Sequence, residues 1–203
     1  IQAKGCIVPN PISEALPEPY IGQRKKTVVA VSRLEPQKNH KMMLQAFARF
    51  VKQYPEYTLH LYGKGSLEDE LKQLAVDLQM EDKVIFEGFQ KDIMSRVKDA
   101  GMFVLSSDYE GISNSLLEAM AVGLPVISTD CPCGGSRLCI TDGVNGMLTP
   151  VGDVEEFEKA MLRMAASEQE AQKMGQEAAK VRERFSSQKI VEQWIEILKE
   201  LEK

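Results

Sequence analysis

Residues 101–129 read GMFVLSSDYEGISNSLLEAMAVGLPVIST, with two short apolar runs on either side of a polar loop and the segment LLEAMAVG. The runs at 101–106 and 125–128 are apolar almost throughout, as strands covered by helices on both faces should be. The segment between them is predicted to be a helix. A strand, a helix and a second strand in this order form a βαβ unit, which favours a parallel sheet.

Similar units extend along most of the chain. Four further apolar runs are predicted strands, at 27–32, 57–62, 83–87 and 146–149. Helical spacing of apolar residues, as over residues 44–51, separates them. Six strands with intervening helices predict a doubly wound, Rossmann-like α/β domain with a parallel sheet. Ligands of such domains bind outside the carboxyl ends of the strands, so the residues after each strand are the candidates for a site.

The helix ends and the chain ends complete the predicted organisation. Ser66 and Asp153 precede helical segments at positions typical of N-caps. Residues 1–22 are proline-rich and predict a linker, 23–185 form the α/β domain, and 186–203 are a terminal helix. One side of that helix is apolar and is expected to pack on something. Because the chain does not begin with Met, we expect it to be a piece of a longer polypeptide.

The composition excludes several classes of protein. The 203 residues are 43% hydrophobic and 27% charged, as in ordinary globular proteins rather than disordered or collagen-like ones. A net charge of -5 disfavours a general nucleic-acid surface, so any anion must be held by a few placed cations. The longest apolar stretch, 116–127, is interrupted and too short to cross a bilayer. Four cysteines give no disulfide framework and favour a reducing cytosol.

The cysteines and histidines predict neither a metal site nor a hydrolase. Cys131, Cys133 and Cys139 are close in sequence, but they lack the paired spacing and the neighbouring histidine of a zinc site. His40 is expected at the start of a helix and His60 inside a strand. The sequence suggests no Ser or Cys partner for either histidine, so a catalytic triad is not supported.

Two cations follow the first predicted strand. Arg33 and Lys38 precede a helix for which Asn39 is a possible cap. The N-terminus of a helix offers unpaired N–H groups and a positive partial charge, so this arrangement favours a phosphate or diphosphate. Solvated loop charges are the alternative interpretation.

Glycines follow the second and third strands. Gly63-Lys64-Gly65 allows the backbone to approach a neighbour or a ligand closely. It is not the G-x-G-x-x-G of a dinucleotide site, and the chain has no phosphate-loop motif. Gly88 and Phe89 offer a backbone edge and a ring that can hold a planar base, although a core position for Phe89 is the alternative.

Two acids lie after the fourth strand. Glu110 and Glu118 are too far apart in angle to share one helical face, so we expect Glu110 in a loop and Glu118 inside the helix that Ser113 or Asn114 caps. Both carboxylates can then point into one crevice and accept hydrogen bonds from sugar hydroxyls. An ordinary first-turn acid is the alternative for Glu118.

These segments together resemble the C-terminal domain of retaining glycosyltransferases of family 4. The resemblance is carried by residues 32–38, 63–65, 84–89, 109–129 and 143–153, in collinear order. Its most specific part is the Glu-x7-Glu motif. The resemblance implies a GT-B architecture in which this domain binds a nucleotide-sugar donor. An N-terminal domain that precedes it would mainly bind the acceptor.

The resemblance also assigns roles to residues. Arg33 and Lys38 would hold the donor diphosphate and stabilise the leaving nucleotide, Glu110 would lie near the transferred sugar, and Glu118 would bind the ribose hydroxyls. The predicted donor-binding set is completed by the glycine and loop positions Gly63, Gly88, Phe89, Gly111, Ile112, Ser113 and Asn114. The segment CPCGGSRLCITDG departs from the family near Ser136 and Leu138, where relatives often carry a proline and a glutamate.

The resemblance predicts transfer of a sugar from a UDP or GDP donor to an acceptor hydroxyl, without a metal or other cofactor. Polysaccharide or glycolipid biosynthesis in the cytoplasm, in some cases at the inner membrane face, is the expected setting. The expected partners are the protein's own N-terminal domain and an acceptor sugar or lipid-linked glycan, with no nucleic acid. This chain alone is expected to bind donor but to be inactive. A binding module without catalysis and a sugar-nucleotide epimerase of the same architecture are the alternatives.

Overall fold

The protein forms a six-stranded parallel sheet. The computed structural model describes residues 7–201, so Cys6 and the extreme ends of the predicted linker and terminal helix lie outside it. The strand order is β3-β2-β1-β4-β5-β6, and every neighbouring pair is parallel. The strands are β1 (Thr27–Val31), β2 (Thr58–Tyr62), β3 (Val84–Gly88), β4 (Met102–Leu105), β5 (Val126–Thr129) and β6 (Met147–Thr149). The predicted Rossmann-like α/β fold is confirmed.

Nine α-helices lie in the described part of the chain, and a 3₁₀ turn (Pro36–Lys38) precedes the first of them. They are α1 (His40–Phe50), α2 (Glu68–Asp77), α3 (Ile93–Val97), α4 (Asn114–Ala121), α5 (Gly135–Cys139), α6 (Val154–Ala166), α7 (Glu168–Ala179), α8 (Val181–Arg184) and α9 (Ser187–Leu201). No helix within residues 7–201 is long and apolar enough to cross a membrane. The division of the chain at residues 22 and 185 stays a prediction.

The sheet separates two hydrophobic cores. Side chains alternate between the faces of a strand, so Val28 of β1 joins one core while Val29 joins the other. The first core is filled by α1, α2 and α6, with Phe47 and Phe157 fully buried. The second is filled mainly by α4 and the strands beneath it, with Phe103 at its centre. Each buried phenylalanine contributes about 2 to 3 kcal/mol, and this packing fixes the helices that begin at the carboxyl edge of the sheet.

Three of four predicted helix caps are present, including that of Ser113 on α4. The Asn39 side chain accepts a hydrogen bond from the N–H of Met42, and Asp153 caps α6 in the same way. The predicted Ser66 cap is wrong, because its hydroxyl donates to Glu35 Oε2 at 2.7 Å and α2 begins only at Glu68. The competing carboxylate is nearer in space than the first turn of the helix.

The expected packing of the terminal helix is found only at its beginning. Ile190 is buried, but Trp194 is 50% exposed and Leu198 is 56% exposed. Most of the apolar side of α9 therefore faces away from the described part of the chain.

Candidate functional site

Lys38 and Glu110 meet at the carboxyl edge of the sheet, where strand order reverses between β1 and β4. Lys38 Nζ forms an ion pair with Glu110 Oε2, and the two side chains are only 11% and 16% exposed. The hydroxyl of Ser107 also donates to Glu110 Oε2, at 3.4 Å. One predicted cation and one of the two predicted acids are thus brought into direct contact, at the edge where α/β proteins bind ligands.

Arg33 and Glu118 have no such partner within residues 7–201. Arg33 follows β1, is exposed, and forms no ion pair there. Glu118 lies in the second turn of α4, is half-buried, and its carboxylate accepts no hydrogen bond from the described residues. Burial raises the pKa of Glu118 above its ordinary value. The first-turn interpretation of Glu118 is wrong, and a half-buried acceptor without an internal partner can serve hydroxyls of a ligand.

The four residues from 111 to 114 make different contacts. Ile112 packs on the core beside α4, and buried Ser113 caps that helix. Asn114 accepts a hydrogen bond from the side chain of Asn10 at 3.1 Å. Gly111 is exposed, and the space where its side chain would lie is open. Among these four predicted residues, Gly111 is the one that has no side chain to shield its backbone from a ligand.

The two glycine turns have different functions. Gly63 has a positive φ, and a Cβ there would collide with the carbonyl of Ser32, so this glycine serves close packing of two loops. Gly88 also has a positive φ, and its missing side chain faces the Cε atom of Lys64 at 3.7 Å. Phe89 is 70% exposed, so a core position for its ring is wrong. The ring lies at the carboxyl end of β3, available to a planar group.

Three contributors to this edge are absent from the sequence-based set. Lys64 is an exposed cation next to Gly88, and the turn that carries it gave the only available signal. Gly135 packs so closely on Gly111 that a Cβ would collide with the Gly111 carbonyl. Cys133 is exposed and its thiol contacts the carbonyl of Glu110. Cys133 lies in the loop after β5 and Gly135 begins α5, and the contacts of both depend on tertiary structure.

His40 does have a serine neighbour, contrary to the expectation. His40 Nε2 lies 3.0 Å from Ser32 Oγ, while its Nδ1 is buried without a partner in the described chain. Burial, assisted by the charge of Lys38, lowers the pKa of His40 to about 4. The pair lacks the orienting acid of a triad and is nearly inaccessible, so it gives no support to a hydrolase.

A separate cavity of about 370 Å³ lies at the opposite end of the sheet, between α6, α7 and the turn before β6. Met147, Met164 and Met174 line it, and Arg163 and Glu177 are charged members of its wall. None of the predicted catalytic or donor-binding residues lines it. Residues 7–201 include no cluster of three or more His, Cys, Asp or Glu side chains arranged to hold a metal ion.

The family model for glycosyl transferases group 1 matches residues 13–181. This chain belongs to the group 1 glycosyl transferases. It is 29% identical over 174 residues to the poly(glycerol-phosphate) alpha-glucosyltransferase of Bacillus subtilis, a match that covers 86% of this chain and 26% of that protein. The chain therefore spans about a quarter of the length of that relative.

Solved structures of related proteins have the same fold. A point mutant of TarM from S. aureus, in complex with fondaparinux, alpha-GlcNAc-glycerol and UDP, superimposes with a TM-score of 0.84 at 26% identity. The match covers 91% of this chain and 38% of TarM. Anabaena HepE in complex with UDP gives a TM-score of 0.80 at 27% identity, over 87% of this chain and 49% of HepE. The resemblance to a donor-binding domain of GT-B type is confirmed.

The electrostatics of this group 1 glycosyl transferase suit an anionic ligand. The overall charge is -5, yet Arg33, Lys38 and Lys64 all follow neighbouring strands at one edge. The N-terminus of α4 adds the positive end of a helix dipole at the same edge. The same loops also carry Glu35, Asp108 and Glu110, so the edge offers a few placed cations and a helix N-terminus rather than a net positive charge.

Proposed function

We propose that this chain is the donor-binding part of a retaining glycosyltransferase of family 4. The observation that carries the proposal is the contact of Lys38 with Glu110 at the switch point of the sheet, with Arg33 and Lys64 close by in the fold. The donor is a nucleoside diphosphate sugar. The UDP complexes of TarM and HepE support uridine as the first base to test, and GDP donors are the second.

Each side chain has a proposed task at that edge. Arg33 and Lys38 hold the diphosphate, Glu118 accepts hydrogen bonds from the ribose hydroxyls, and Phe89 stacks on the base. Lys38 exchanges its contact with Glu110 for the phosphate when donor binds. Glu110 then faces the transferred sugar.

The proposed reaction breaks the bond between the anomeric carbon and the diphosphate and forms a bond from that carbon to an acceptor oxygen. The acceptor proton passes to the leaving phosphate on the same face of the sugar, so the configuration is kept. Negative charge grows on the diphosphate, where Arg33 and Lys38 stabilise it electrostatically. We propose that these cations and the α4 dipole take the place of a metal ion, which predicts full activity in the presence of a chelator.

The site is an open edge, and nothing in the described part of the chain closes over it. We therefore propose that residues 1–203 alone bind donor without transferring sugar, because water is not expelled from the reacting centre. Transfer is proposed for a protein that also carries an acceptor-binding domain. Cytoplasmic location, association with the inner membrane face, and polysaccharide or glycolipid acceptors stay predictions.

Calorimetry and product analysis test the function. Titration with UDP and GDP should show saturable binding by the 203-residue chain, and Arg33→Ala and Lys38→Ala should weaken it. In a transfer assay with the full protein, NMR of the product should show the anomeric configuration of the donor. An inverted product would contradict retention. An altered sugar released without an acceptor would indicate an epimerase instead.

A further inference from the structure

Besides the ion pair, four hydrogen bonds join the loop that carries Lys38 to the loop that carries Glu110. Two go to backbone oxygens of the Lys38 loop: the Ser106 hydroxyl donates to the Lys38 carbonyl at 2.7 Å, and the Asp108 N–H donates to the Gln37 carbonyl at 2.9 Å. The others are made by side chains of that loop. The Gln37 amide donates to the Tyr109 carbonyl at 2.8 Å, and Asn39 Nδ2 donates to Asp108 Oδ1 at 2.6 Å.

These bonds lie on both sides of the ion pair. Gln37 and Asn39 are the immediate neighbours of Lys38, and Tyr109 is the immediate neighbour of Glu110. The backbone that carries the Lys38 side chain is therefore fixed by contacts between the loops, and the ammonium group itself is held by the carboxylate. If a donor phosphate displaced Glu110, the Lys38 side chain would still start from a backbone fixed beside the phosphate.

Asn39 has two bonding tasks at once. Its backbone is left-handed, with φ 43° and ψ 47°, a conformation that Asn and Asp tolerate better than most residues. Its side-chain oxygen accepts from the N–H of Met42 and caps α1, which leaves its amide nitrogen facing Asp108. The side chain thus connects the start of a helix to the loop after β4.

We propose that Asn39 and Asp108 are positioning residues that hold Lys38 in place for the diphosphate of the donor. Neither residue is required to touch the ligand. The proposal rests on the proposed function, because it assigns the diphosphate to Lys38. It predicts that disruption of the pair weakens binding of the second phosphate and spares the rest of the nucleotide.

An exchange of the two side chains provides the test. Asn39→Asp keeps the helix cap and the backbone preference but places a carboxylate against Asp108. Asp108→Asn still offers an oxygen to Asn39. The double variant reverses donor and acceptor, so it restores the bond and keeps the net charge of the unmodified chain.

The measurement is the ratio of the dissociation constants for nucleoside monophosphate and diphosphate, taken by calorimetry with UMP and UDP and with GMP and GDP. Asn39→Asp should lower this ratio about tenfold, the scale of one hydrogen bond to a charged group, and leave monophosphate binding within about twofold. Asp108→Asn and the double variant should lie near the unmodified value. Lys38→Met should lower the ratio of the two dissociation constants, as Asn39→Asp does.

A matched control is Asn145→Ala. The Asn145 side chain, like that of Asn39, uses both its oxygen and its nitrogen, accepting from the Thr141 N–H at 2.6 Å and donating to the Cys139 carbonyl at 3.1 Å, but it lies in the turn before β6. Asn145→Ala should leave the ratio of the two dissociation constants unchanged, even if it lowers the thermal stability of the chain. A fall of monophosphate and diphosphate affinity together in Asn39→Asp would show a merely structural role and overturn the inference.

The remaining outcomes separate the two proposals. If Asn39→Asp keeps the ratio of the unmodified chain while Lys38→Met lowers it, the positioning role is overturned and the assignment of the diphosphate to Lys38 stands. Failure of the double variant to recover the ratio would also contradict the pairing. If the unmodified chain binds neither UDP nor GDP, the proposed function fails, and the positioning role fails with it.

Discussion

Lys38 and Glu110, 72 residues apart in sequence, form an ion pair across the reversal point of the sheet. The Glu110 carboxylate thus contacts the ammonium group that we assign to the donor diphosphate. Donor binding must therefore compete with an internal acid. Lys38 should therefore strengthen diphosphate binding, and Glu110 should weaken it.

Substitution of these two residues should move diphosphate affinity in opposite directions. Lys38→Met removes a charged donor and should weaken UDP binding by about ten to a hundredfold. Glu110→Gln removes the competing charge and should tighten UDP binding by about threefold, the scale of a partly exposed ion pair, while it abolishes transfer by the full protein. Calorimetry measures both, and weaker binding by Glu110→Gln would contradict the competition.

The charged carboxylate of Glu118 should lower the stability of the folded chain at neutral pH. Burial raises its pKa in the folded chain, so the folded state holds the proton more tightly than the unfolded state. Stability from this group is full below its unfolded pKa and is lost as the pH rises through the folded pKa. Glu118→Gln should therefore stabilise the chain at pH 7 and leave its stability unchanged near pH 3, where the carboxyl is protonated in both states.

The same substitution should weaken nucleotide binding. The amide accepts fewer hydrogen bonds from a ribose diol than the carboxylate does. Urea denaturation of Glu118→Gln should then show higher stability at pH 7, while titration with UDP shows weaker binding. A variant that binds UDP normally would remove Glu118 from the proposed ribose site.

His40 predicts acid sensitivity of the fold. Its pKa is lowered to about 4 by burial, so the unfolded chain binds a proton near pH 6.5 while the folded chain does not. Stability falls as the pH drops through that window, by up to about 3 kcal/mol at its lower end. His40→Gln removes the titration, so its stability should vary less between pH 7 and pH 4. Parallel curves for the two proteins would contradict the assignment.

Cys133 should be the preferred site of thiol alkylation among the described cysteines. It is exposed, whereas Cys131 and Cys139 are buried, and burial raises the pKa of both buried thiols. A carbamidomethyl group on Cys133 displaces its contact with the Glu110 carbonyl and should lower donor affinity. Peptide mass spectrometry after brief iodoacetamide treatment locates the adduct, and saturating UDP should slow its formation. Cys133→Ser, which keeps a donor for the carbonyl, should bind UDP normally and resist the reagent.

Phe89 should contribute to binding without contributing to stability. The ring is mostly exposed, so Phe89→Ala should change the free energy of unfolding by less than about 0.5 kcal/mol. Loss of a base-stacking surface should weaken UDP binding by about tenfold. Phe86→Ala is an informative contrast, because Phe86 packs against the first core and its loss should mainly lower stability.

The sheet could be predicted from the sequence because its signals are local. Each strand is a short apolar run, and its observed bounds lie within one or two residues of the predicted ones. The cap of α2 could not be predicted, because Ser66 bonds to Glu35, a residue of a different loop. The sequence around Ser66 does not show that a carboxylate from a distant loop will accept its hydrogen bond.

The candidate site could be predicted only in part for the same reason. Motif resemblance points to Lys38 and Glu110, and the structure brings them together, whereas their roles toward a ligand stay predictions. The contacts of Asn39 with Asp108 and of Gly135 with Gly111 depend on how separate loops pack. No spacing in the sequence encodes such contacts.

A crystal structure of the chain with bound UDP-sugar or GDP-sugar is the most direct test of the donor site. We predict phosphate oxygens within hydrogen-bond distance of Arg33 and Lys38, the ribose diol on Glu118, and Glu110 released from Lys38. A nucleotide bound instead in the methionine-lined cavity beneath α6 and α7, with Lys38 and Glu110 still paired, would contradict the account.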